Sequence, residues 1–347
     1  MQTRFGLLLG TLTFSLTACA SSSLQLTEIQ SSSDEPSNVA VYFKVMSGDE
    51  PVGGMTAEQF VIYEDDKPVS VTESKQTILN PEVAASHYTL LLVDMSGSVA
   101  ESDDRELVTQ AATLFTTKVG EVNNEVAVYA FDGEEELHPI SKFKKGKGDG
   151  GAGKLSSYEP KDTSTNLNGA IIQGIELLDT ELENADNPLR FGTLVVFTDG
   201  TDRAARVSDD EMRDAVKGTD YQVFAIGLGT EMSEDDLKKI GKDGTAMATD
   251  ANSVEAAFTQ IATRIEGLTK SYYLLSYCSP ARAGEHEVTI EAVLEDEDDK
   301  GKKKTRKGSL SSSFDAEGFG PGCDPNQEPK FDITKGDTLR VENEQAE

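Results

Sequence analysis

The sequence predicts an α/β protein in which a doubly wound, mostly parallel sheet is inserted in a small β-sandwich-like domain. Three observations lead to this prediction. Strand-like and helix-like segments alternate over residues 85–268. Strand-like segments without helices flank that stretch on both sides, over residues 39–84 and 269–323. Two continuous apolar runs of the central stretch end in an aspartate, which is typical of buried parallel strands whose carboxyl ends carry a binding site.

The composition excludes several classes of protein before any motif is considered. The chain has 347 residues and a net charge of −30, with 32 Lys and Arg against 62 Asp and Glu. So acidic a surface repels nucleic acid and anionic lipid headgroups, and we expect neither as a partner. Hydrophobic residues make up 37% of the chain, which suffices for globular cores but not for a polytopic membrane protein. The three His and three Cys are scattered and show no zinc framework.

The N-terminal segment resembles a bacterial lipoprotein signal peptide. Residues 1–18 combine a basic start with an apolar stretch that is too short to span a bilayer as a helix. Residues 16–19 read Leu-Thr-Ala-Cys and resemble a lipobox, in which cleavage leaves Cys19 as a lipidated N-terminus. Ala rather than Asp follows this cysteine, and resemblance to Gram-negative lipoproteins then implies an outer-membrane anchor, at the periplasmic face or the cell surface. The Ser-rich residues 19–38 predict a flexible tether.

The two flanking regions predict one β domain. Residues 39–84 contain three runs rich in β-branched and aromatic residues, VAVYFKVM, QFVIYE and PVSVTESKQTIL. Residues 269–323 contain three more, SYYLLSY, EHEVTIEAVL and GSLSSSF. Either set is too small for a core of its own, so we expect the two to combine. The charged residues 295–308 are interpreted as a solvated loop, with pairing of their acidic and basic arms as the alternative. Residues 324–347 predict a disordered tail.

Residues 85–268 predict the α/β domain. Its strand-like runs are HYTLLLVD, EVAVYAF, GTLVVFTD and YQVFAIGLG. The helix-like segments between and after them are ESDDRELVTQAATLFTTKVG, TNLNGAIIQGIELLDTEL, VSDDEMRDAVK, SEDDLKKIG and NSVEAAFTQIATRIEG. This alternation predicts parallel strands with helices on both faces of the sheet.

Three short motifs fall at strand ends or at a helix start, where open α/β sheets bind ligands. Asp94, Ser96 and Ser98 form a D-x-S-x-S motif after the first buried strand. Thr165 opens the second helix, and Asp199 ends the third strand. Hard oxygen donors with few charges suit Mg²⁺ that retains some of its water, so the five residues predict a metal site for Mg²⁺, with Mn²⁺ or Ca²⁺ as alternatives.

These motifs resemble the metal-ion-dependent adhesion site of von Willebrand factor A domains. The segments D-x-S-x-S, T-N-L-x-x-A-I and T-D-G match that family in order and spacing, over roughly residues 87–268. The resemblance implies a Rossmann-like fold in which the serines and the threonine bind Mg²⁺ directly or through water, and the aspartates mostly through water. It further implies that an Asp or Glu of a partner protein completes the octahedron. An envelope-anchored, metal-dependent adhesion or scaffold module is therefore expected, with no catalytic residue and no small-molecule substrate.

Two alternatives remain open for the function. An Asp at the end of the first strand, together with Mg²⁺, also describes phosphatase-like hydrolases in which Asp94 would be the nucleophile. Ser96 stands where such an enzyme needs a second acid, and a serine cannot perform that proton transfer. We therefore expect no enzyme. The second alternative is a purely structural envelope lipoprotein.

The remaining cysteines and the histidines complete the set of candidate residues. Cys278 and Cys323 are an even pair outside the cytoplasm, which favours a disulfide over the alternative of two free thiols. His87, His138 and His286 lie in or beside strands without an evident ligand partner and are interpreted as structural.

Overall fold

The structure is a computed structural model, and it describes residues 23–79, 85–102, 104–120, 124–143, 151–185, 189–229, 232–297, 303–324, 327 and 329. The predicted signal peptide, Cys19 and most of the predicted tail lie outside these residues. No helix in the described ranges is both long enough and apolar enough to cross a membrane.

The described residues form fifteen strands and six α-helices. In chain order the strands are β1 (Gln25–Asp34), β2 (Asn38–Ser47), β3 (Glu50–Pro51), β4 (Phe60–Glu64), β5 (Lys67–Pro68), β6 (Thr77–Leu79), β7 (Ala85–Asp94), β8 (Asn124–Phe131), β9 (His138–Ser141), β10 (Leu189–Thr198), β11 (Gln222–Leu228), β12 (Gly244–Ala248), β13 (Tyr272–Cys278), β14 (Glu285–Glu297) and β15 (Lys303–Asp315). The helices are α1 (Gly97–Ala100), α2 (Asp104–Gly120), α3 (Leu167–Glu183), α4 (Asp209–Gly218), α5 (Glu234–Ile240) and α6 (Ala251–Lys270).

The central sheet has six strands in the order β12-β11-β10-β7-β8-β9. Neighbouring strands are parallel except β8 and β9, which are antiparallel. The chain runs outward from β7 to β8 and β9 and then crosses to β10 on the other side of β7. The strand order therefore reverses between β7 and β10, the kind of point at which open α/β sheets bind ligands. The predicted doubly wound, mostly parallel sheet is confirmed.

Alternate residues of the central strands build two apolar cores, one on each face of the sheet. Leu91 and Val93 of β7 pack with residues of α2 and α6. Leu90 and Leu92 pack on the opposite face with residues of α3, α4 and α5. Because helices cover both faces, both sides of such a strand can be apolar, which explains the uninterrupted hydrophobic run Leu90–Val93 of β7. Gly174 lets α3 approach the sheet closely, since a Cβ at this position would lie 2.9 Å from the Leu92 side chain.

Two antiparallel sheets flank the central one. The first has the order β1-β2-β13-β6 with β3 paired to β2, and the second has the order β15-β14-β4-β5. Both combine strands from before β7 with strands from after α6. Their apolar side chains share one core, which includes Val41, Phe43, Ile62, Tyr273 and Ile290. Since both chain segments are needed to enclose that core, the prediction of an α/β domain inserted in a β-sandwich-like domain is confirmed.

A disulfide links Cys278, the last residue of β13, to Cys323, as predicted. The two residues are 45 positions apart, and their Cα atoms lie 5.7 Å from each other. Beside the bridge, the Ser37 hydroxyl donates a hydrogen bond to the carbonyl oxygen of Gly322 at 2.7 Å. The end of the second β segment is thereby fixed against the turn between β1 and β2.

The prediction of a flexible tether over residues 19–38 is wrong for most of its length. Residues 25–34 form β1, which pairs with β2 in antiparallel fashion. Leu24 is 4% exposed and donates its backbone N–H to the carbonyl oxygen of Lys307 at 3.0 Å. A Ser-rich sequence is compatible with this strand because β1 lies at the edge of its sheet, where many side chains face solvent. Any tether therefore ends by residue 23.

The interpretation of residues 295–308 as a solvated loop is also wrong where the structure describes them. β14 and β15 continue into this stretch, and Asp296 pairs with Lys304 across the two strands. Arg306 donates its Nε–H to Asp296 Oδ2 at 2.7 Å. Opposite charges on facing strands favour pairing, so the alternative of paired acidic and basic arms is correct here.

Candidate metal centre

Two parallel strands bring the predicted aspartates to the same edge of the central sheet. β7 ends at Asp94, and β10 ends at Thr198, directly before Asp199. Val93 of β7 lies opposite Phe197 of β10, so the two strand ends are level. The charge of Asp199 also raises the pKa of Asp94, as expected for carboxyl groups at neighbouring strand ends. Adjacent strands that end level at the switch point thus place both acids together.

Backbone hydrogen bonds join the threonine loop to the loops that follow the two strands. The N–H of Gly97 donates to the carbonyl oxygen of Thr163 at 3.0 Å. The N–H groups of Arg203 and Ala204 both donate to the carbonyl oxygen of Thr165, each at 2.9 Å. Three chain segments that are far apart in sequence are therefore bonded to one another around the predicted site.

Asp94 is completely buried, and its environment disfavours its charge. Its Oδ1 accepts the N–H of Ser96 at 3.0 Å, and its Oδ2 accepts the hydroxyl of Thr198 at 2.7 Å. Burial, and after it the charge of Asp199, raises the pKa of Asp94 to about 7, although both hydrogen bonds act in the opposite direction. The two donors are neutral groups, so a cation at this position would restore the ionised form.

The two serines of the motif differ in exposure. Ser96 is buried and precedes α1, whereas Ser98 lies in the first turn of that helix and is exposed. Their hydroxyl oxygens are 3.3 Å apart. A Cβ at Gly97 would lie 3.0 Å from the Thr163 side chain, so a residue without a side chain lets the two loops meet.

A cleft of about 330 Å³ opens above these loops. Ser98, Thr165 and Asp199 line it, together with Asp104 and Arg203. Asp94 and Ser96 lie below this surface and are linked to it by the contacts with Asp199 and Ser98. The structure thus brings all five predicted residues together, and their coordination of a metal stays a prediction.

The donor set fits a hard divalent cation. It consists of two carboxylates and three hydroxyls, and Mg²⁺ and Ca²⁺ prefer oxygen ligands of these kinds. The Asp94 carboxyl group is buried, and the charge of Asp199 acts on it. Among the described residues, its hydrogen-bond donors are the backbone N–H of Ser96 and the hydroxyl of Thr198, both of which are neutral. A buried charge is ordinarily paired or bound to a metal, so this part of the molecule suits an ion of charge two.

The sequence alone does not reveal the role of Thr198. This residue is fully buried, and its hydroxyl, besides its bond to Asp94, lies 2.8 Å from the carbonyl oxygen of Gly200. It therefore orients the Asp94 carboxyl group. Its position as the last residue of a strand adjacent to β7 is the signal that could have indicated this role.

Two of the three histidines have partners that the sequence did not indicate. His286 Nδ1 lies 2.7 Å from Asp65 Oδ2, and this hydrogen bond raises the pKa of the histidine. His138 Nε2 faces Asp132 and Glu134. The interpretation that these histidines lack nearby partners is therefore wrong. His87 instead stacks on Phe191, with ring centroids 4.9 Å apart.

Comparison with known proteins identifies similar folds only among solved structures. No family model and no curated protein matches the chain. The chain is similar to a protein described as von Willebrand factor type A from Catenulispora acidiphila, with 10% identity over 84% of this chain and 74% of that one, and a TM-score of 0.44.

Two further solved structures show a similar level of likeness. Proximal thread matrix protein 1 from the mussel byssus, described with a zinc-occupied MIDAS motif, has 15% identity over 59% of this chain and 49% of its own, with a TM-score of 0.40. A conserved hypothetical protein, BatB from Bacteroides thetaiotaomicron, has 16% identity over 54% of this chain and 100% of its own, with a TM-score of 0.39. At identities and TM-scores this low, the fold assignment rests on the strand order described above.

Proposed function

We propose that this chain is a metal-dependent protein-binding module. One observation carries the proposal: oxygen donors from three separate loops meet at the switch point of the sheet, beside an open cleft. Mg²⁺ bound there by Asp94, Ser96, Ser98, Thr165 and Asp199 would keep an open coordination position toward the cleft. A carboxylate from an Asp or Glu of the partner protein would fill that position.

The charge of the chain explains why a metal would be needed for such a partner. A net charge of −30 repels acidic ligands, so a carboxylate requires a local positive focus. A divalent ion on the cleft supplies this focus, and Arg203 adds a positive charge at the cleft surface. The metal supplies the positive charge that the partner carboxylate needs, and that carboxylate supplies a further ligand to the metal. The binding of each should therefore strengthen the binding of the other.

The geometry does not favour a hydrolase that uses Asp94 as its nucleophile. Both oxygens of this carboxyl group accept hydrogen bonds from neighbouring groups, and the residue has no exposed surface. An attacking carboxylate must reach the substrate, whereas this one lies beneath the residues that line the cleft. Its position suits orientation of a metal and its bound water.

The metal part of the proposal is tested by calorimetric titration of Mg²⁺ into the full chain and two variants. Asp94→Ala should raise the Kd for Mg²⁺ by about a hundredfold or more, because it removes a ligand as well as its charge. Asp104→Asn is the matched control, since Asp104 lines the same cleft but is not among the five ligands. Equal loss in both variants would mean that the cleft attracts cations only through its charge.

The partner part is tested with displayed peptides that contain Asp or Glu. Peptides selected on the wild-type chain in Mg²⁺ should be released by a chelator and should not bind Asp94→Ala. Replacing the acidic residue of a selected peptide by Asn or Gln should abolish its binding. Selected peptides that ignore both the chelator and Asp94→Ala would show that the domain binds through another surface.

We further propose that Cys19 anchors the protein to the outer membrane, on the basis of the lipobox-like residues 16–19. Because the chain is folded from Leu24 onward, residues 19–23 span at most about 17 Å, which would hold the domain close to the bilayer. Metabolic labelling with palmitate should mark the wild type and not Cys19→Ala. Membrane fractionation and processing of Cys19→Ala that match the wild type would contradict this anchor.

A further inference from the structure

A second group of potential metal ligands lies on the connection from β8 to β9. Asp132 directly follows β8, Glu134 lies two residues later, and His138 is the first residue of β9. One oxygen of each acid and one nitrogen of the histidine all lie within 4.8 Å of one another. Asp132 is completely buried, whereas the side chains of Glu134 and His138 are 36% and 18% exposed. None of the three lines the cleft above Asp94.

The two distances from the histidine to the acids are too long for hydrogen bonds and slightly longer than those between ligands of one metal. His138 Nε2 lies 3.8 Å from Asp132 Oδ1 and 3.6 Å from Glu134 Oε2. This nitrogen is buried and has no hydrogen-bond partner among the described residues. Ligands at about 2.1 Å from a single ion lie about 3.0 to 3.4 Å apart, so a small contraction would complete the geometry.

The structure already holds the Asp132 carboxyl group in a fixed orientation. Its Oδ1 accepts the N–H of Glu134 at 2.7 Å. Its Oδ2 accepts the hydroxyl of Tyr158 at 2.8 Å and the N–H of Lys161 at 2.9 Å. The ring of Tyr158 also packs against that of His138, with centroids 5.5 Å apart. Supporting contacts of this kind orient the ligands of natural metal sites.

One cation already lies at the edge of the group. Lys161 Nζ lies 2.9 Å from Glu134 Oε2, and the lysine side chain is 65% exposed. A metal would compete with this ammonium for Glu134, and the exposed lysine is free to move aside into solvent. Two carboxylates and a neutral imidazole carry a charge of minus two, which matches a divalent ion.

We propose that Asp132, Glu134 and His138 form a second metal site, for a transition-metal ion of the Zn²⁺ class. Imidazole is a good ligand for Zn²⁺, Ni²⁺ and Cu²⁺, whereas Mg²⁺ and Ca²⁺ prefer sites made of oxygen alone. Three protein ligands leave at least one position for water. The two sites of this chain therefore select different metals by donor chemistry, Mg²⁺ at Asp94 and Zn²⁺ at His138.

Hydrogen bonds connect the second site to the loop that carries Thr165. Asn166 donates its backbone N–H to the carbonyl oxygen of Asp132 at 2.9 Å and its side-chain amide to the carbonyl oxygen of Glu134 at 2.8 Å. Gly133 donates its N–H to the carbonyl oxygen of Asp162 at 3.0 Å. An ion at the second site would hold this loop in place, and the coupling between the two sites rests on the proposed function of the first.

The test is a calorimetric titration of Zn²⁺ into the full chain in the presence of saturating Mg²⁺. The wild type should bind one equivalent. His138→Ala and Glu134→Gln should each weaken this binding by about tenfold or more. His286→Ala and Glu136→Gln are the matched controls, a partly exposed histidine of the β domain and an exposed acid of the same loop, and should bind as the wild type does.

Asp94→Ala separates the two sites and should keep the Zn²⁺ equivalent. Loss of that equivalent in Asp94→Ala would place Zn²⁺ in the oxygen site and overturn the proposal. The absence of a Zn²⁺ equivalent in the wild type would also overturn it, and so would a Zn²⁺ affinity of His138→Ala and Glu134→Gln that equals the wild-type affinity. If His138→Ala does not fold, as judged by circular dichroism, the half-buried Glu134→Gln gives the same decision.

Discussion

The two ends of β7 hold one buried titratable residue each, and burial drives both toward the neutral form. At the carboxyl end, burial and the charge of Asp199 raise the pKa of Asp94 to about 7. At the amino end, burial lowers the pKa of His87 to about 4. The pKa shifts of the two residues are thus of similar size, although the residues lie near opposite ends of the same strand.

The surroundings, rather than the shifts, distinguish a binding site from a structural position. His87 lies among aromatic rings, stacked on Phe191 and 6.4 Å from the ring of Tyr272. Burial and ring stacking favour the neutral imidazole there, and its Nε2 has no hydrogen-bond partner among the described residues. Asp94 lies beneath oxygen donors and beside a second acid, where a cation would stabilise both charges. Perturbed pKa values occur at functional sites and at structural ones, so convergent ligands decide between the two.

The largest expected effect is the contribution of His87, near the amino end of β7, to the dependence of protein stability on pH. Because the pKa of His87 is lower in the folded state than in the unfolded one, the unfolded chain binds more protons below pH 6.5. The free energy of unfolding should therefore lose about 3 kcal/mol from this residue as the pH falls from 6.5 to 4. His87→Phe keeps the ring stack and should remove that loss, measured by urea denaturation across this pH range.

His286 provides the control for this measurement because its shift has the opposite sign. Its hydrogen bond to Asp65 raises its pKa, so it contributes stability at acid pH that disappears as the pH rises through the raised value. His286→Gln should make the loss of stability toward acid pH steeper. A profile of His87→Phe that is parallel to the wild type would mean that His87 is solvated in the folded state.

The second prediction distinguishes the two ends by their response to Mg²⁺. At a Mg²⁺ concentration ten times the Kd, binding to the folded state should add about 1.4 kcal/mol to the free energy of unfolding. Asp94→Asn should abolish this gain, whereas His87→Phe should retain it in full. Thermal unfolding with Mg²⁺ and with a chelator measures both. A gain that survives in Asp94→Asn would place the ion elsewhere on this acidic chain.

Most of the fold could be predicted because its strongest signals come from buried elements. The apolar runs of β7 and β10 are long and bounded by turns, which leaves little ambiguity. The missed strands lie at sheet edges. β1 is Ser-rich, and β12 is a strand of five residues, GTAMA, at the end of the central sheet beside β11, so neither shows the pattern of a buried strand.

The site was predictable to the extent that its residues belong to local motifs. Asp94, Ser96 and Ser98 are close in sequence, and strand ends locate Asp199. Contacts between side chains on different strands have no such signature. The bond from Thr198 to Asp94 joins two strands, and the approach of His138 to Asp132 depends on how β9 folds back along β8 with an irregular register.

The smallest expected effect tests whether the Thr198 hydroxyl at the carboxyl end of the strands orients the Asp94 carboxyl group for metal binding. Thr198→Val keeps the shape of a fully buried side chain and removes the hydroxyl that donates to Asp94 Oδ2. It should lower the free energy of unfolding by about 1 kcal/mol and weaken Mg²⁺ binding by about tenfold, since the carboxyl group loses the contact that orients it. The matched control is Thr193→Val, five residues earlier on β10, whose hydroxyl lies 3.5 Å from Gln222 Oε1 and away from the site. That control should leave the Mg²⁺ affinity unchanged. Equal Mg²⁺ affinities in both variants would show that Asp94 holds its position without the Thr198 hydroxyl. Burial alone would then position the titratable residue at the carboxyl end of β7, as it does for His87 at the amino end.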